Sequence, residues 1–289
     1  MTPDEYSVEQ TVISAGIANY VLQLAKFFAS PILTLADWLR LLELLFPQVQ
    51  QERGRAAELA RAFYDSQRAL HHPELPRNDQ FLVEYPFEQF VENLEPLRRQ
   101  MSQEDTPEHV VGSLALRVVR EVENGARRQI IRSVESDPAP RIVKGWARVA
   151  TGRETCGWCL MLISRGPVYT AADTAGLDLD DRTAARMIAA GEDVSEYMEQ
   201  WHDGCDCKVV PVFKHENWPG QKAADRALEL WNEAATEAVR FRAENPGRKH
   251  TTGKNRGKEF TFNEDVILVL RRRLERGEIN PAEYAGFAA

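Results

Sequence analysis

Four cysteines and one histidine constrain this chain more than any other feature of its sequence. Cys156 and Cys159 stand in "TCGWC", and His202, Cys205 and Cys207 stand in "WHDGCDC", with 42 residues between the two groups. These are all the cysteines in 289 residues. A Cys-x2-Cys turn aims two sulfurs at one point, which is why it recurs in tetrahedral zinc sites. Residues two apart on an extended strand share a face, so Cys205 and Cys207 point the same way. His202 lies one turn earlier. Five candidates for four places leave two solutions: the four cysteines bind zinc with His202 behind them, or His202 replaces one cysteine. The spacing leans toward Cys156, Cys159, His202 and Cys205, with Cys207 close by. Such a zinc is structural, because a closed four-ligand site has no open position for a substrate.

Three other uses of the cysteines compete: a disulfide, four buried thiols, and a redox Cys-x2-Cys. The opening "MTPDEYSVEQ" is acidic where a secretion signal needs positive charge, which weighs against disulfides. A thioredoxin-like motif needs a strand followed by a long helix, and it leaves the second cysteine group unexplained. Residues 11–25 carry no charge, but Lys26 ends the run short of the roughly 20 apolar residues of a spanning helix. A core helix is expected there, and no membrane partner. The net charge of −8 argues against a general nucleic-acid binder.

The remaining pattern is helical first and mixed later. Ile13, Ile17, Val21, Leu24 and Phe28 recur at helical spacing. A second helix is expected from Thr34, as N-cap, to Pro47, and a third over about 51–71 with His71 and His72 at its end. A short helix follows over about 87–101. The clearest helix starts at Thr106 as N-cap and carries Val111, Leu114, Val118, Val122 and Ile130 as its core stripe. "IVKGWARVATG" and "CKVVPVF" read as strands, with Pro211 marking an edge or a bulge. Helices are expected over 181–200, 221–243 and about 263–277. Between the last two, Arg248, Lys249, Lys254, Arg256 and Lys258 mark an exposed basic linker. The fold class is therefore α+β. A helical N-terminal domain covers 1–140, a small mixed Cys/His domain 141–245, and a basic linker with a last helix 246–289.

"TGRETCGWCLMLISRGPVY" followed by "WHDGCDCKVVPVF" resembles the phage Mu F-like minor head protein family. That family carries a Cys-x2-Cys and a later His-x2-Cys-x-Cys, usually with proline after the histidine and arginine between the cysteines. Here Asp203 and Asp206 stand at those places, so the chain looks like a divergent branch, most similar to versions in tailed phages of actinobacteria. The match spans roughly residues 140–215. The resemblance implies a minor capsid protein in the virion, in the capsid interior, and in the host cytoplasm during assembly. It implies contacts with the portal protein and with major capsid or scaffolding protein. Packaged DNA through 248–258 is a further expected contact.

Relatives of this branch are often described as capsid maturation proteases, a role that needs a catalytic set. The sequence holds no G-x-S-x-G and no H-E-x-x-H. His109 with Ser113, and Ser164 with His202 or His215, can be paired on paper, but without an orienting acid or an oxyanion hole. The expectation is a non-enzymatic role. A maturation protease and a zinc-containing nucleic-acid-binding module are the alternatives.

Overall fold

The computed structural model describes residues 1–28, 32–78, 85–103, 106–153, 155–167, 190, 201–252 and 256–287. It is an α+β chain that groups into two compact units, Met1–Val143 with Trp201–Cys205, and Lys144–Gln200 with Asp206–Ala289.

Among the described residues, four α-helices build the first unit: α1 (Pro3–Ala25), α2 (Leu35–His71), α3 (Phe87–Met101) and α4 (Glu108–Glu135). Thr2 and Thr34 start α1 and α2 with capping boxes, each hydroxyl accepting from the backbone N–H three residues on. The segment 3–28 is long and apolar enough to cross a membrane by length and composition. Here α1 packs against α2 and α4, burying Ile13, Ile17, Val21 and Ala25. Each buried Ile or Val side chain contributes about 1.5–3 kcal/mol.

Two helix expectations need correction. Pro47 does not end a helix. It lies inside the 37-residue α2, because Trp38, Leu41, Leu42 and Leu45 before it and Val49, Ala56, Ala60 and Phe63 after it are all buried in the same unit. That burial outweighs the roughly 3 kcal/mol that an interior proline costs. Thr106 does not cap α4. Pro107 is the N-cap residue, and the Thr106 hydroxyl donates to the carbonyls of Met101 and Gln103 instead. At the start of α4, Val110 is buried and Val111 only half-buried.

At Gly125, α4 touches α2: an added Cβ would stand 2.6 Å from Arg53 Cγ and 2.7 Å from its carbonyl oxygen. Arg53 donates to the carbonyl of Glu121 and lies over the Tyr85 ring. Glu121, itself buried, accepts from Tyr85 and Asn93 at 2.8 Å each. Burial, followed by the neighbouring Glu121 charge, pushes the Tyr85 phenol up.

The second unit holds β1 (Gly145–Val149) and β2 (Lys208–Val212), paired antiparallel with Gly145 opposite Val212 and Val149 opposite Lys208. Pro211 sits opposite Trp146 in this two-stranded sheet, where its missing N–H costs no central ladder bond. Helix α5 (Gly157–Ser164) follows β1, and α6 (Gln221–Glu244) and α7 (Phe262–Glu275) pack on it. Leu160, Leu230, Ala234, Ala238, Val266, Val269 and Leu270 form their shared core. The helix expected over 181–200 falls outside the described residues except at residue 190.

The stretch 245–261 is not a plain linker. Lys249 bridges Glu259 in antiparallel sense, with further backbone bonds between Phe260 and Arg248 and between His250 and Lys258, which makes a small hairpin. Its inward residues anchor it. Arg248 pairs with Asp265 and stacks on Phe260, while His250 stacks on Phe260 and reaches Glu264. This hairpin and α7 pack within the second unit rather than standing apart from it.

Candidate metal centre

Antiparallel pairing explains how residues far apart in sequence meet. Because Val149 pairs with Lys208, the chain leaving β1 and the chain entering β2 lie at the same end of the sheet. Residues 150–153 leave there and Asp206–Cys207 arrive there. Cys156 is the N-cap of α5, and its sulfur accepts from the backbone N–H of Cys159 at 3.4 Å. The first turn of α5 thus sets the Cys-x2-Cys geometry. Gly157, between the cysteines, is required by contact with α7: a Cβ there would meet Arg271 Cγ at 3.2 Å and the Ile267 carbonyl at 3.3 Å.

The Cys159 sulfur lies within 4.8 Å of the Cys156 sulfur and of the Cys207 sulfur. Cys159 and Cys207 are fully buried and Cys156 half-buried. None of the four cysteines forms a disulfide. Zn–S bonds of about 2.3 Å in a tetrahedron place sulfurs about 3.8 Å apart, so each of these two sulfur pairs, both sharing Cys159, is near the spacing that a metal bridges. An N–H bonded to sulfur also favours the negative charge that a metal ligand carries.

Asp206 organises the same end of the sheet, which the sequence reading missed. Its Oδ2 accepts from the Thr151 hydroxyl at 3.2 Å, the Gly152 N–H at 2.9 Å and the Thr155 hydroxyl at 3.0 Å. The signal was present in the sequence, as an acid between two cysteines and two threonines just before the other pair. No local rule connects the two stretches.

The remaining two candidates, His202 and Cys205, lie in 201–205, the segment that groups with the helical unit. There α4 holds them through three arginines. Arg117 and Arg120 pair with Asp203 at 2.8 and 3.0 Å, and Arg127 donates to the Cys205 carbonyl at 3.2 Å. Arg127 also lies over the Trp201 ring. His202 is exposed, with Nδ1 2.9 Å from the Asp203 carbonyl. Trp158, beside Cys159 in α5, packs against Met161, Leu162 and Ile267.

The paper catalytic pairs have structural explanations. The Ser113 hydroxyl donates to the His109 carbonyl at 2.9 Å, and the Ser164 hydroxyl to the Met161 carbonyl at 2.6 Å, both ordinary helix back-bonds. In the basic segment Arg248 is engaged with Asp265, Lys249, Arg256 and Lys258 are exposed, and Lys254 lies outside the described residues.

Fold and site together define a helical unit joined to a small two-stranded unit whose sheet end is rich in cysteine. A model of the VG15 protein family matches residues 10–234, and the chain belongs to that family. It is 51% identical over 301 aligned positions to the Gene 15 protein of Mycobacterium phage L5, covering 99% of both chains. It is 52% identical over 282 positions to the Gene 15 protein of Mycobacterium phage D29, covering 95% of this chain and 99% of that one. The family is thus a phage protein family. No solved structure matches the chain.

Proposed function

We propose that this chain is a minor capsid protein of a tailed phage, of the Mu F-like kind, that acts in head morphogenesis and in delivery of DNA from the capsid. In this reading it sits at the portal vertex and in the procapsid interior, against portal protein and major capsid or scaffolding protein. One observation carries the reading: the Cys-x2-Cys turn and the Cys-x-Cys strand entry, the two halves of the Mu F-like pattern, meet at one end of the sheet, where the buried Cys159 sulfur lies within 4.8 Å of the sulfurs of Cys156 and of Cys207. The likeness to phage proteins over the whole chain supports it.

Within the second unit, zinc would be held by Cys156, Cys159 and Cys207. The metal would supply cross-linking rather than chemistry. Lys249, Arg256 and Lys258 on the hairpin would meet packaged DNA.

The test is to analyse procapsids and mature particles of a phage encoding this chain by quantitative mass spectrometry, beside lysates in which its gene is interrupted. A few copies per particle, and defective heads without it, are expected. Absence from both kinds of particle overturns the proposal. Normal heads with unprocessed capsid or scaffolding protein in the interrupted lysate would point to the maturation-protease alternative.

A further inference from the structure

Asp206 is one residue from Cys207, and its carboxylate reaches Thr155, one residue from Cys156. A single side chain therefore ties together the two chain segments that carry the sulfurs. The tie is well made. Its three donors are two hydroxyls and a backbone N–H, and Thr151 and Thr155 are both buried. The loop it grips is fixed on its other side as well. Gly152 has φ +83°, and a Cβ there would stand 2.9 Å from Ala282 Cα, so the loop fits only with glycine at that turn. Gly286 donates its N–H to the Ala150 carbonyl at 3.0 Å, holding the start of the same loop.

We infer that Asp206 is a positioning residue for the cysteine set, latching Thr151, Gly152 and Thr155 so that the Cys156–Cys159 turn faces Cys207 before any metal arrives. This rests on the zinc reading above. Charge-assisted hydrogen bonds in a partly buried place are roughly twice as strong as neutral ones, so three of them hold the loop without help from a metal. Metal then enters a set of sulfurs already in place, unlike a small zinc finger that folds only on binding. Groups that orient ligands without touching the metal are usually worth 10–100-fold in metal affinity.

The experiment uses the full chain, depleted of metal and titrated with zinc against a chromophoric chelator, and with Co(II) as a spectroscopic probe. The wild type should bind one zinc and show sulfur-to-cobalt charge-transfer bands. Asp206→Asn should bind zinc about 10–100-fold more weakly, with the same cobalt bands and unchanged helix content in the metal-depleted state. Thr155→Val, which removes one of the three bonds, should weaken zinc by a smaller factor, and it carries the test if Asp206→Asn does not fold. Wild-type affinity in Asp206→Asn, or in Thr155→Val should that variant have to stand alone, overturns the positioning role while leaving the metal site intact. A wild type that takes up neither zinc nor cobalt overturns the site reading and this inference with it.

Discussion

Arg68 grips Asp137 with two buried N–H groups, Nε at 2.7 Å and Nη2 at 3.1 Å, and so closes the end of α4 onto the end of α2. Tyr64 and the Ala139 N–H also donate to Asp137. Burial pushes the Asp137 carboxyl up, but the bonds from Arg68, Tyr64 and Ala139 outweigh it and hold the group below its usual value near 3.8. A depressed carboxylate contributes stability above its unfolded value and loses it as pH falls through the lower folded value. Stability of the helical unit should therefore fall from about pH 4 downward. Asp137→Asn should remove much of that acid dependence and cost about 3–5 kcal/mol at neutral pH, because Arg68 is left buried and uncompensated. Urea unfolding at pH 7 and pH 3.5 reads both effects.

Glycine substitutions should differ in sign by position. Gly125→Ala gains about 1 kcal/mol of helix propensity. It loses more, about 1–3 kcal/mol, by forcing α4 off the Arg53 backbone. Gly16, Gly54 and Gly112 have nothing within 4 Å of an added Cβ, so alanine there should stabilise by up to about 1 kcal/mol. Thermal unfolding of the four variants separates the two classes.

Gly220→Ala should destabilise the second unit more than an exposed turn glycine would. Its φ is +93°, and its Cβ would stand 2.6 Å from Val149 Cγ2. A second change, Val149→Ala, makes room for the methyl but leaves the φ strain, so it should recover part of the loss. Full recovery would show that the backbone conformation costs nothing there.

Arg248→Ala should loosen the hairpin without unfolding the helices. It removes the stack on Phe260 and one of the two arginines at the buried Asp265, leaving Arg242 at 3.2 Å. Amide exchange should speed up at 249–259 and stay slow in α6 and α7. Lys249→Ala, on the outward side, should leave exchange unchanged.

Much of this arrangement was legible locally. The cap at Thr34, the strands around Trp146 and Val210, and the helix expected over 221–243 are set by side chains within a few residues of each other, and the structure has them within a residue or two of where the sequence puts them. Pro47 was misread because local rules weigh a proline against its neighbours in sequence, not against the buried faces of α1 and α4. Arg248 read as a solvated cation because its partner Asp265 is 17 residues away.

The sequence by itself determined which residue types a metal would need, their spacing, the helical and mixed halves, and the α+β class, because these follow from short-range periodicity and side-chain chemistry. Only the tertiary structure decided that Cys207 meets Cys159 in the second unit, that Asp206 ties their two segments, and that 201–205 is held on α4. Convergence across a 42-residue insertion depends on the register of β1 with β2, and register is a property of the packed sheet rather than of either strand.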